Sequence, residues 1–322
     1  MSNPTTNYKI STGQDLGAIF QHLTSATKAP ITGYTVTGYG DLNQIFAPYI
    51  PGATTASTTG FKVNGTDLNS IFSPLQNTFT TTNQLISTSY QNNIYGTLAT
   101  NFKLQSPYTK FNFVLYGGGG DGYQPNSTDG TGGAGSGAFI QATNIPYYYP
   151  GSTTEYMTAI SYGISGGGAI GSPFSTTVTI TYTNNVTLSL SAGSGQSKTA
   201  VSGGTGAAGG VTSTSIPSAF VSIITVIGMN GSAGGNTNTN GTSLGYTSSG
   251  SGSSSSSPYN PVGAPPTETK TFATYTITSR GGGKNQTVSG YGAGGAATPA
   301  NYNSNAGAYR NGTPGCFIYY LS

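Results

Sequence analysis

The sequence predicts a mainly β protein: a glycine-rich, antiparallel β sandwich-like domain preceded by small tandem repeats of α/β type. Three observations lead there. Runs of alternating β-branched and aromatic residues are each followed by a cluster of glycines. A pattern of Asp, Leu, Ile and Phe returns at a spacing of 26 residues near the start of the chain. Charge is nearly absent, at 5% of 322 residues against roughly 25% in ordinary soluble domains.

The repeats occupy residues 1–75. Asp15, Leu16, Ile19 and Phe20 return as Asp41, Leu42, Ile45 and Phe46, and again as Asp67, Leu68, Ile71 and Phe72. Each set follows an aromatic and a β-branched residue two apart, then Gly13, Gly38 or Gly65. The unit reads as a short extended segment, a glycine turn and one or two helical turns. Asp15, Asp41 and Asp67 are placed to cap free N–H groups, and the Leu, Ile and Phe side chains share one apolar face. Pro48 and Pro74 stop the second and third turns, while the first unit has His22 at that place. So short a unit cannot bury a core alone. Residues 1–75 are therefore either a docking module that inserts these nine apolar side chains into an assembly, or a small repeat domain. Residues 76–110 read as a connector, with a helical piece over 81–95.

From residue 111 the composition changes: nine glycines precede residue 117 and 42 lie from Gly117 onward. A β run at 111–116 abuts Gly117 to Gly120, and the same grammar recurs at 157–164, 220–227 and 272–278. Residues 176–190 read as a hairpin turning at Asn184 and Asn185, with Val178, Ile180 and Tyr182 on one side. Residues 316–321 form the final strand. The glycine clusters lie between strong strand formers and carry Ala, Tyr and Asn at intervals. That placement suits close-packed loops or left-handed segments of three residues per turn better than a linker. Strict Gly-X-Y repetition is absent, which excludes collagen. The Ser/Gly and Pro-rich stretch 248–268 is expected to be a mobile loop.

Chemistry-bearing motifs are few. The ten Lys and Arg are spread singly, so no surface for nucleic acid is expected. One cysteine, Cys316, excludes an intrachain disulfide and a multi-cysteine zinc site, and its apolar surroundings suit a buried thiol. No metal or cofactor site is expected. The chain start lacks a secretory signal, and no apolar run approaches a membrane span, so no membrane insertion is expected. Gly117 to Gly122 lacks the Lys-Ser/Thr pair of one phosphate-binding loop and the following helix of the other. Asp121 and Asp129 flank the first glycine loop, as solvated turn residues or around a cation. The carboxylates form no recognisable acid–base pair.

Two features carry a family resemblance: the unit running from Phe61 to Pro74, and the domain that begins FNFVLYGGGG, continues GAGSGAF and closes with Gly312 to Tyr320. They resemble viral appendage and virion-surface proteins, especially glycine-rich tail-fibre or adhesin-like domains of phages and large DNA viruses. The resemblance implies a minor capsid, surface or fibre component of the virion, oligomeric and without enzymatic activity, assembled in the host cytoplasm. Its partners would be other virion proteins and copies of itself. The alternative is a host-receptor or glycan-binding adhesin, in which Tyr147, Tyr148 and Tyr149 stack on a host surface glycan; those rings also suit an aromatic packing corner. A surface polysaccharide hydrolase would need two carboxylates facing each other across a groove.

Overall fold

The computed structural model describes residues 62–63, 66–67, 77–100, 102–123, 131–168, 174–198, 206–253, 261–297 and 309–322. The chain divides into two compact units, Met1–Thr78 and Phe79–Ser322. In the first, β1 (Lys62–Val63) pairs antiparallel with β2 (Thr66–Asp67), Lys62 opposite Asp67 and Val63 opposite Thr66. Asp67 thus lies on a strand, and the residues that follow it to Gln76 lie outside the described residues. The residues between the two strands in sequence are Asn64 and Gly65, the dipeptide that two-residue hairpins favour. Leu16, Ile19, Phe20, Leu42, Ile45, Phe46, Leu68, Ile71 and Phe72, with Asp15 and Asp41, lie outside the described residues.

The second unit is built from two five-stranded antiparallel sheets. Continuing the numbering, β3 (Asn77–Phe79) spans the boundary between the units in sequence, and β6 (Phe102–Leu104) lies in the second. The first large sheet contains β4 (Asn83–Ser87), β7 (Lys110–Tyr116), β8 (Phe139–Pro146), β13 (Thr225–Met229) and β17 (Cys316–Leu321), in the order β13-β8-β7-β17-β4. The second contains β5 (Ile94–Thr100), β9 (Met157–Ile164), β10 (Thr176–Tyr182), β11 (Thr187–Ala192) and β12 (Thr212–Ser215), in the order β12-β11-β10-β9-β5. Alternation sets the core. Val178, Ile180 and Tyr182 of β10 point inward with Leu188 and Leu190 of β11, against Phe111, Phe113, Leu115, Phe317 and Tyr319 of the first sheet. β7 and β17 are buried on both faces. Their other side chains, Val114, Tyr116, Cys316 and Ile318, meet Phe272 and Ile277 from a third sheet. That sheet is made of β14 (Thr267–Phe272), β15 (Tyr275–Arg280) and β16 (Ser289–Gly290).

Helical turns followed by a sandwich-like domain are therefore not the architecture: regular structure among the described residues is almost entirely strand, with a single 3-10 turn at Ser218–Phe220 and a helical turn at Tyr309 and Arg310. Residues 81–95 hold no helix. They contribute β4 and the start of β5, because Leu85 and Ile86 pack towards opposite faces of the first sheet, which a helical face cannot do.

The described glycine-rich segments lie beside these sheets. They are extended segments joined side by side by main-chain hydrogen bonds with a period of three. Along 117–122, the N–H groups of Gly117 and Gly120 donate to Ala138 and Gly135; those of Gly119 and Gly122 donate to Thr313 and Arg310. Gly118 and Asp121 donate to the hydroxyls of Ser194 and Ser197. The next segment repeats the scheme. Gly133 and Ser136 donate to Gly235 and Ser232, Ala134 and Gly137 to Gly295 and Gly292, and Gly135 and Ala138 to Gln196 and Gly193. A strand directs its N–H groups to two sides in one plane. Here successive N–H groups point to three different neighbours, as in a three-residue left-handed helix without internal hydrogen bonds. The rise changes little, from about 3.3 Å to about 3.1 Å per residue. Strands therefore run straight into the bundle: β7 into 117–122, β11 into 193–198, and 131–138 into β8.

Glycine is needed for the close approach of backbones. A Cβ on Gly119 would lie 1.8 Å from the Ala293 carbonyl oxygen, and one on Gly295 would lie 1.5 Å from that of Arg310. Neither glycine has a positive φ. Residues 248–253, expected in a mobile loop, belong to this bundle: Ser248, Ser249, Ser251 and Ser253 are buried, and Gly250 and Ser253 donate to Ala134 and Thr131. Serine is small enough to enter, and the hydroxyls of Ser249, Ser251 and Ser253 find carbonyls, as Ser251 does on Gly263, while the buried Ser248 hydroxyl has no hydrogen-bond partner among the described residues.

Candidate functional site

At the end of the bundle away from β7, one carboxylate joins three parts of the chain. The Tyr90 hydroxyl, from the loop after β4, donates to Asp121 Oδ2 at 2.5 Å, and the Gly312 N–H donates to Oδ1 at 2.7 Å. The Asp121 main chain is held as well. Its N–H donates to Ser197 Oγ at 2.8 Å, and its carbonyl accepts from the Lys198 N–H at 2.9 Å. Burial pushes the Asp121 carboxyl up from the usual carboxylate range, opposed by the hydrogen bonds from Tyr90 and Gly312 and by the charge of Arg310. Burial, reinforced by Asp121, likewise raises the Tyr90 phenol. Both carboxylate oxygens are occupied by protein donors, so the group acts as a clamp on segments 117–122 and 309–315. Asp129, considered with it as a cation ligand, lies outside the described residues. A clamp of this kind had a weak signal in the sequence, a single charge directly after four glycines. Its partners Tyr90 and Gly312 had none.

The tyrosine cluster is divided by the fold. Tyr147 is buried, its hydroxyl donating to the Phe102 carbonyl and its ring against Phe102 and Tyr156. Tyr149 packs edge-on against Tyr182 and Phe220. Tyr148 alone of the three is exposed, at 50%. The cluster is thus chiefly an aromatic corner closing the core beside β6.

The other described acidic groups, Arg280 and the cysteine are dispersed. Glu155 accepts from the Asn184 side chain at 2.9 Å, and Glu268 lies on β14. Arg280 donates to the carbonyl and hydroxyl of Thr287, both at 3.2 Å. Cys316 is fully buried on β17, and burial raises its thiol well above the usual range. Among the described residues, no group of three or more His, Cys, Asp and Glu could hold a metal ion, and no helix is long and apolar enough to cross a membrane. The sequence matches no protein-family model and no curated protein.

Proposed function

We propose that the protein is a non-enzymatic structural component of a virus particle, a minor capsid, surface or fibre protein. Residues 1–75 attach it to other virion proteins or sibling chains, and the glycine-rich unit projects from the particle or cements it. The observation that carries this reading is the bundle. It cross-links strands of both large sheets through the main chain, as where Ala138, leading into β8, donates to Gly193, leading out of β11. Each such bond contributes about 1 kcal/mol net, so cohesion is spread over many small terms that ionic strength and redox state barely touch. That suits a part exposed to changing surroundings better than a catalyst, whose site needs a cleft with convergent titratable groups. The adhesin reading is not adopted, because two of its three tyrosines are engaged in the interior.

Attachment is tested in the full chain with Ile45→Asp, Phe46→Asp, Ile71→Asp and Phe72→Asp combined. Copies in purified particles should fall by about tenfold or more, while the melting transition of the glycine-rich unit stays in place. Undiminished incorporation would contradict the docking assignment.

A further inference from the structure

The two large sheets have four edge strands among the described residues, and two of them carry features that discourage pairing with another chain. β5 has a register irregularity between Thr97 and Ala99; such a bulge disrupts an edge. β12 is a four-residue run of Thr and Ser, whereas on β4 the side chains of Asn83 and Gln84 accept from the Tyr275 and Tyr319 hydroxyls. β13 has none of these. It reads Thr-Val-Ile-Gly-Met, pairs with β8 over five residues in unbroken register, and contains no charge and no proline. Nor is there a charged residue anywhere between Lys198 and Glu268.

The surroundings of β13 are apolar. Among the described residues, seven large apolar side chains are exposed, and five belong to this charge-free stretch: Val211, Val221, Ile223, Ile227 and Leu244. Ile227 lies on β13 opposite Gln141 and is 42% exposed. Val221 and Ile223 occupy the turn that enters β13. Val211 precedes β12, whose first residue reaches β13: the Thr212 N–H donates to Asn230 Oδ1 at 3.0 Å, and a Cβ on Gly228 would lie 3.4 Å from Thr212 Oγ1.

We infer that β13 is a self-association edge, and that its occupant is the β13 strand of a second copy of this chain. An open ladder of N–H and C=O groups is satisfied by another extended strand and by little else. Antiparallel pairing of an edge with its own copy is isologous, so one surface serves both partners. It also brings a charge-free surface against a charge-free surface, with no ion left unpaired. Five paired residues fall short of the roughly 800 Å² per partner of a stable interface. Val211, Val221 and Ile223 supply apolar area beside the strand. The inference does not depend on the particle assignment, since it concerns the isolated chain.

Sedimentation of the full chain up to about 100 µM, a range that reports even weak pairing, tests it against two variants. The wild type should show concentration-dependent association. Ile227→Lys, at an exposed position on the edge, should weaken it by about tenfold or more, and Thr97→Lys on the edge of β5 should leave it unchanged. Amide exchange provides a second readout that needs no variant: protection of residues 221–229 should rise with protein concentration. A monomeric wild type would overturn the inference. So would association that Ile227→Lys leaves intact, which would place the contact elsewhere, or exchange at 221–229 that ignores concentration.

Discussion

Gly295→Ala is expected to unfold the glycine-rich unit at temperatures where the wild type is folded, with a loss of roughly 4 kcal/mol or more. The new methyl carbon would stand 1.5 Å from the Arg310 carbonyl oxygen and 2.3 Å from its carbon. Both are main-chain atoms that cannot rotate aside. Moving the segment to make room would break the bond from the Gly295 N–H to Gly120 and the one its own carbonyl accepts from Ala134, each 2.9 Å. Gly228→Ala is the matching control. There the nearest atom to the new carbon is Thr212 Oγ1 at 3.4 Å, and the expected change is within about 1 kcal/mol. Thermal denaturation of the two variants beside the wild type checks both values. Similar melting of Gly295→Ala and Gly228→Ala would mean that the segments are not packed backbone to backbone.

Asp121→Ala should cost about 2 to 4 kcal/mol, because it leaves the Gly312 N–H and the Tyr90 hydroxyl without their acceptor in a part-buried site. The same residue gives a pH signature. Burial raises its carboxyl in the folded protein, so the folded state holds the proton more tightly than the unfolded chain does. Its contribution therefore favours folding most below the unfolded value of about 4 and is lost as pH rises through the folded value. The wild type is expected to melt at a higher temperature near pH 4 than near pH 7. Asp121→Asn, which has no such proton to bind, should show a flatter dependence. A wild type that loses stability on acidification over that range, in parallel with Asp121→Asn, would refute the assignment.

Much of the β framework was legible from local pattern. The run 176–190 alternates strictly, and its inward residues Val178, Ile180 and Tyr182 are buried as the alternation requires. Asn185 takes the turn at φ 62, a conformation that Asn tolerates. Where local signals were weak, the reading went astray. The run 220–227 is two elements: Phe220 drops into the core from a 3-10 turn after Pro217, and β13 begins only at Thr225. The run 272–278 hides a hairpin turn, since Ala273 adopts φ 49 with no Gly or Asn to announce it. In β4, Asn, Gln and Ser interrupt any alternation, and only pairing with β17, more than two hundred residues away, makes it a strand where the local pattern suits a helix. The Asp121 clamp is of the same kind. Its partners are set by the meeting of three distant segments, which no spacing in the sequence encodes.

For the bundle the sequence left two options open, close-packed loops or three-residue segments, because glycine count does not tell an ordered backbone from a free one. Their separation rests on where each N–H goes. Residue-resolved amide exchange on the full chain reports whether each of those N–H groups is held in a bond. The amides of 117–122, 133–138 and 292–297, each of which donates a hydrogen bond, should exchange as slowly as those of β7 and β17, with no fast position among them. Exchange at the rate of a free Gly/Ser linker, beside protected strands, would contradict the account.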